Sequence, residues 1–233
     1  MSKLRKRISM LLPEGIKAVL KEFLPPTAEA SVQAVGGEGP RGYVGGLWYE
    51  MGELQFKFLV EHGLLPEHTL LDIACGSLRL GNRIIPYLNS GNYLGIDIEA
   101  DLIEHGKAIE LGHILCDIKK PEFVVSGSFE FHRFSKPPDI VIAQSLFSHL
   151  IEREITLCLI NLSKYCKGST VLYATFNEVD APAVNPARSD PHGFFRYTRL
   201  EMEQIGQRAG WKMNYLGNWN HPRDQKMLRY VVA

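Results

Sequence analysis

The sequence has no apolar run approaching the roughly 20 residues that cross a bilayer, and its charged start lacks the apolar block of a signal peptide. It has no CxxC pair and no zinc-ligand spacing: Cys75, Cys116, Cys158 and Cys166 stand apart. They read as reduced thiols in a cytosolic protein, with no metal expected. Charge of one sign is also missing. Lys plus Arg and Asp plus Glu both total 26, so no global field steers the chain onto DNA or RNA. No internal repeat or long low-complexity tract is present either.

What is there is ample apolar material. At 233 residues and 45% hydrophobic, the chain can bury the core of one large α/β domain. Its one uneven region is the start. Residues 1 to 24 carry Lys3, Arg5, Lys6, Arg7, Lys17 and Lys21 against Glu14 and Glu22. Apolar residues recur there at helical spacing, which predicts an amphipathic helix, or two bent at Pro13. Two readings stand: a peripheral contact with an anionic membrane leaflet, or docking on the domain itself or on a second copy in a homo-oligomer. Residues 25 to 46 are rich in Pro, Gly and small side chains and read as a linker or lid. The expected division is therefore 1–46 for the basic helix and linker and 47–233 for the main domain.

Past that point strands and helices alternate. "LWYEMGELQFKFLVEHGLL" reads as a helix closed by Gly63, followed by an apolar strand at 69–74 and a helix around 78–88. A strand at 93–98, a helix from Ala100 to Leu111, a strand near Phe129 to Phe134 and a strand at 139–144 come next. A helix over 151–165, a strand at 170–176, a helix "RLEMEQIGQR" and two final strands complete the chain. The pattern predicts a Rossmann-like α/β fold: a mostly parallel seven-stranded sheet, helices on both faces, and an antiparallel C-terminal hairpin at one edge.

In such a sheet the ligand lies at the carboxyl ends of the strands, where the turn after Ile73 sits. That turn, Ala74-Cys75-Gly76-Ser77-Leu78, has one glycine and not the three of a dinucleotide fingerprint, and no Gly-Lys-Ser/Thr of a P-loop follows. Asp72 stands just before it. A carboxylate there repels phosphate and attracts a cation. Asp97 ends the next strand 21 residues after Gly76, where an acid can accept hydrogen bonds from ribose hydroxyls.

"LLDIACGSLRLG", "NYLGIDIEADLI" and "DIVIAQSLFSHL" resemble three motifs of class I S-adenosylmethionine-dependent methyltransferases. The resemblance covers about residues 44 to 233 and is nearest to bacterial enzymes of sugar, polysaccharide or small-molecule biosynthesis. It implies S-adenosylmethionine as cofactor, with Asp72, Ala74 and Gly76 around its methionine part, Asp97 on the ribose and Ile98 beside the adenine. It also implies that Ser145 and Leu146 face the sulfonium and the acceptor. Two departures stand out: Ala74 replaces the usual first glycine, an exchange that costs little if φ is negative there, and Leu78 stands where a third glycine is common. No residue marks the adenine-contact segment; Asp117 qualifies only if the third strand lies elsewhere.

Methyl transfer to a hydroxyl needs alignment and a general base within about 3 Å, and no metal. His149, at the mouth of the fourth strand, is the first candidate, with His192 and His221 beside it and Glu178 as a substitute. Arg188, Arg196 and Arg223 could clamp an anionic group of the acceptor. The expectation is an O-methyltransferase acting on a sugar or other small polar metabolite. The alternatives are N- or carboxyl-methylation, or a methyltransferase-like binding subunit without turnover.

Overall fold

The computed structural model describes residues 39–233. The basic helix expected over 1–24 lies outside the described residues, as does most of the linker. The described chain opens with a one-turn helix α1 (Pro40–Tyr43) and the long helix α2 (Trp48–Glu61). Next come β1 (Leu70–Ile73), α3 (Gly81–Ile84), β2 (Tyr93–Asp97), α4 (Ala100–His105), α5 (His113–Lys119) and β3 (Glu122–Val125). The rest runs β4 (Ile140–Ala143), α6 (Glu152–Tyr165), β5 (Val171–Glu178), β6 (Arg196–Tyr197), α7 (Arg199–Arg208), β7 (Trp211–Asn218) and β8 (Lys226–Val232).

The strands form one sheet in the order β3-β2-β1-β4-β5-β8-β7, and the two-residue β6 pairs with β5 off that path. β1 to β5 are parallel, with Asp72 beside Gly95 and Ile142 in the register. The last two strands return antiparallel, β8 against β5 and β7 against β8. This is the expected Rossmann-like sheet with its C-terminal hairpin, plus the extra short β6. The order reverses between β1 and β4, so their carboxyl ends splay open around a crevice.

Burial follows from the strand sequences. β1, β2 and β4 are buried along their whole length, as near-continuous apolar runs covered by helices on both faces must be. One core lies under α6 and α7, with Phe147, Ile155, Leu159 and Trp211 fully buried. The other lies under α2 and α4, around Leu59, Leu64, Leu78 and Ile84. The indole of Trp211 donates to Leu159 O at 2.9 Å, tying β7 to α6. α7 starts at a capping box, Thr198 with Glu201, which supplies two amides that the first turn leaves without partners.

Three expectations change. The third strand is Glu122–Val125, not Phe129 to Phe134; that second stretch holds a 3₁₀ turn at Phe131–Arg133, preceded by Phe129 at φ 56°. Its Phe131 and Phe134 are buried, so a loop that dips twice into the core imitates strand alternation. The helix expected over 78–88 has only one regular turn, and the one from Ala100 widens at Gly106 into a π-helix ending at Leu111.

Candidate active site

The crevice between β1 and β4 deepens into a cavity of about 940 Å³, at the upper end of the range for small-molecule sites. Ten of the residues singled out in the sequence line it: Asp72, Ala74, Gly76, Asp97, Ile98, Ser145, Leu146, His149, His192 and His221. Of the other sequence candidates, Arg188 and Arg223 line it as well. Arg196 does not; it sits over the Phe194 ring. Glu178 also lies outside, accepting a hydrogen bond from the Tyr215 hydroxyl at 2.5 Å.

The two carboxylates are held differently. Asp72 is buried and accepts a 2.8 Å bond from the Tyr93 hydroxyl. Burial pushes its pKa up to about 7, against that hydrogen bond, and Asp97 adds to the rise. Asp97 accepts the Gly76 amide at 2.7 Å and the Glu99 amide at 2.9 Å. Each of its oxygens keeps a lone pair for another donor. Burial raises this pKa too, while the amide bonds oppose it.

The turn between these acids is strained. Ala74 has φ 62° and Leu78 φ 67°, so the premise that alanine sits at negative φ is overturned. A non-glycine residue in the left-handed region costs about 1–2 kcal/mol, and Ser145 beyond β4 carries the same burden at φ 61°. Three such residues line one wall or buttress it, and strain of this kind persists where the surroundings over-determine it. At Gly76, φ 53°, a Cβ would stand 2.8 Å from Val44 Cγ1, so a side chain there would push Val44 aside.

Past β2 the cavity is bounded by Ile98, 64% exposed, together with Leu102, Ser126, Gly127 and Phe129. Ser126 directly follows β3, so this wall is the segment that the misplaced third strand concealed. Asp117 is exposed on α5 and takes no part in it.

The opposite end gathers the histidines. The His149 ring meets Gly193 O through Nδ1 at 2.8 Å. A carbonyl only accepts, so Nδ1 carries the proton and Nε2 presents a lone pair. Burial holds its pKa below the ordinary 6.5. His221 is placed otherwise. Burial, then Arg79 and Arg223, pushes its pKa down to about 4, yet Gln144 Nε2 and the Arg223 amide approach its two ring nitrogens at 3.2 and 3.1 Å. A neutral imidazole has one acceptor nitrogen, and these contacts compete for it. His192 is exposed and stands edge-on to Tyr43, ring centroids 5.0 Å apart.

Sequence reasoning missed Arg79, Gln144 and Gln55. Arg79 Nη1 donates to Val44 O and Gly46 O, and Nη2 to Gln144 Oε1, at 2.8–3.0 Å. Gln55 Nε2 donates to the same Gln144 oxygen at 2.9 Å. The signal available was weak: an arginine three residues after the glycine and two glutamines on separate elements have no fixed spacing. Among the described residues no group of His, Cys, Asp or Glu is arranged to hold a metal ion.

Comparison with known proteins follows the same lines. Residues 71–172 match the methyltransferase domain family. Among solved structures, the chain is similar to magnesium protoporphyrin IX methyltransferase from Synechocystis PCC 6803, crystallised with S-adenosylmethionine. The two are 16% identical over 94% of this chain and 97% of that one, with a TM-score of 0.58. It is also similar to a putative O-methyltransferase from Nostoc punctiforme PCC 73102, at 14% identity, 87% and 66% coverage and a TM-score of 0.61. A TehB-like S-adenosylmethionine-dependent methyltransferase from Corynebacterium glutamicum gives 17% identity, 83% and 92% coverage and a TM-score of 0.54. At these identities the structural likeness is one of fold.

Proposed function

We propose that this chain, whose residues 71–172 match the methyltransferase domain family, is a class I S-adenosylmethionine-dependent methyltransferase that moves the donor's methyl group to a hydroxyl of a small polar acceptor, such as a sugar. The residues present fit the donor. A carboxylate stands at each of two neighbouring strand ends, and an apolar wall of Ile98, Leu102 and Phe129 suits a planar base. When bound, the donor supplies a methyl carbon made electrophilic by its sulfonium.

The chain's own part is positioning and charge. Asp97, with a lone pair left on each oxygen, accepts from two adjacent pentose hydroxyls. Asp72 balances the positive amino end in a site where burial strengthens the attraction. Ser145 and Leu146 border the transfer point, where the nucleophile lines up with the methyl group. His149 Nε2 takes the acceptor's proton, with Gly193 O fixing the tautomer. The polar insert from Arg188 to His192 lines the far end, where hydroxyls find hydrogen-bond partners.

The observation that carries the reading is the His149 geometry: a neutral imidazole, one nitrogen tied to a carbonyl and the other without a partner among the described residues, in the cavity the two acids line. His149→Ala should lower kcat by about 10²-fold or more while donor affinity stays within about threefold. Single-turnover kinetics and titration calorimetry read the two effects separately. A carboxylate acceptor is the second reading, favoured by Arg188 and Arg223, which have no carboxylate partner among the described residues. An ionised carboxylate needs no base, so near-normal turnover in His149→Ala would favour it over the hydroxyl.

A further inference from the structure

Ser145 borders the cavity just past β4, in the left-handed region at φ 61°. Three buried side chains from different parts of the chain hold it there. Its amide donates to Thr175 Oγ1 of β5 at 2.7 Å, and its carbonyl accepts from the Ser148 hydroxyl at 2.9 Å. Its own Oγ meets Nε2 of Gln225, the residue just before β8, at 2.7 Å. Thr175, Ser148 and Gln225 are all buried, so their protons must find acceptors inside the protein.

That requirement fixes the direction of every bond in the network. The Ser148 proton goes to the Ser145 carbonyl, which can only accept. Thr175 Oγ1 receives the Ser145 amide, and its own proton goes to Gln225 Oε1 at 2.7 Å. The Gln225 oxygen therefore faces Thr175, and its NH₂ faces both serines, reaching Ser148 Oγ at 3.3 Å. With the amide turned round, the Thr175 proton would be buried without an acceptor, a costly arrangement. Ser145 Oγ is thus an acceptor toward the protein, and its proton meets no acceptor among the described residues. Ser145 is only half-buried, so this O–H is a donor presented to whatever occupies the cavity.

The same turn carries His149, four residues on, whose Nε2 is an acceptor. A hydroxyl that gives its proton to His149 and attacks through one lone pair gains nothing from a donor on the other, which draws density away from the attack. A neighbouring oxygen has no such conflict. We propose that the Ser145 hydroxyl, oriented by Gln225, donates to an oxygen adjacent to the reacting one, so that the acceptor is a vicinal diol or an α-hydroxy carbonyl compound and not an isolated alcohol. The proposal rests on the hydroxyl reading above. It makes Ser145 a specificity residue and Gln225, which is not on the cavity wall, a positioning residue.

Transfer from labelled S-adenosylmethionine to methyl glucoside, galactoside, mannoside and rhamnoside, each beside analogues lacking one hydroxyl next to the methylated position, tests this. Wild type should prefer the diol about tenfold in kcat/KM. Ser145→Gly removes the hydroxyl and relieves the left-handed backbone. It should lose about tenfold on the diol and little on the deoxy analogue, with S-adenosylhomocysteine affinity by calorimetry within about twofold of wild type. Gln225→Glu keeps the shape but offers Ser145 only oxygen, so the serine proton turns inward and the diol preference should vanish likewise. The double variant should be no slower than either single one, since both act through one hydroxyl. An equal loss on diol and deoxy analogue, a fall in S-adenosylhomocysteine affinity in Ser145→Gly, or an intact diol preference in Gln225→Glu overturns the proposal. A panel with no methylated member overturns the sugar-hydroxyl reading itself.

Discussion

Asp72 sets folding and binding against each other at one atom. A carboxyl with an ordinary pKa of 3.8 that rises to about 7 on folding binds its proton more tightly folded than unfolded. The free protein therefore loses stability as pH rises from about 4 through about 7. A bound cation reverses the preference, because it favours the ionised form. Donor affinity should then strengthen as pH rises toward 7 and level off above it. Asp72→Asn keeps an acceptor for the Tyr93 hydroxyl and removes the charge, so at pH 8 it should raise the melting temperature of the free protein and weaken donor binding about tenfold or more. Calorimetry and thermal melts at pH 6 and pH 8 check both signs; a variant less stable than wild type at pH 8 would contradict the account. His149 moves the other way, its pKa held below 6.5. As the base it is already neutral at pH 7, so kcat should be level from pH 7 to 8 and fall only on further acidification.

The turn after β1 shows how an element absorbs an unexpected residue. Leu78 occupies a position where the resembling family commonly has glycine, and it is fully buried. Its room comes from elsewhere: a Cβ on Gly106 would stand 2.6 Å from Leu78 Cγ and 2.9 Å from the Ser77 carbonyl. The glycine has in effect moved to the π-helical turn facing it. Gly106→Ala should therefore cost about 1–3 kcal/mol. Combined with Leu78→Ala, the total should be less than the sum of the two single effects, because the leucine atoms in conflict are gone. Denaturant midpoints of the four proteins measure this. The exchange also marks what the sequence could disclose. β1, β2 and β4 are buried on both faces and so spell themselves as apolar runs, which placed both acids at strand ends. β3 is a four-residue edge strand, partly exposed, with little to distinguish it from a loop, and the phenylalanines after it mimic alternation. The wall at Ser126 and Gly127 was lost with it. Arg79, Gln144 and Gln55 meet only through tertiary folding, so no local spacing announces them.

Across the whole molecule, the cavity is roofed by a segment that few contacts secure. Arg41 pairs with Glu110 through two 2.7 Å bonds, Arg223 donates to Gly45 O, and Arg79 holds Val44 and Gly46. All three arginines reach across from, or to, parts distant in sequence, while none of α1 is buried. Only the first contact is an ion pair, with the Glu110 side chain buried; the other two are hydrogen bonds to backbone carbonyls. With no buried side chain, α1 adds little apolar packing to the roof, and a ligand beneath it has contact to add there. Binding to the folded state alone at one hundred times Kd stabilises by about 2.7 kcal/mol. For a chain of this length that corresponds to a rise of roughly 5–11 °C in melting temperature. S-adenosylhomocysteine at that excess should give such a shift in wild type, and Asp72→Asn at the same concentration should give a much smaller one if Asp72 balances the amino end as proposed. A full shift in the variant would mean that the ligand stabilises the fold through its other contacts alone, with the acid as a bystander.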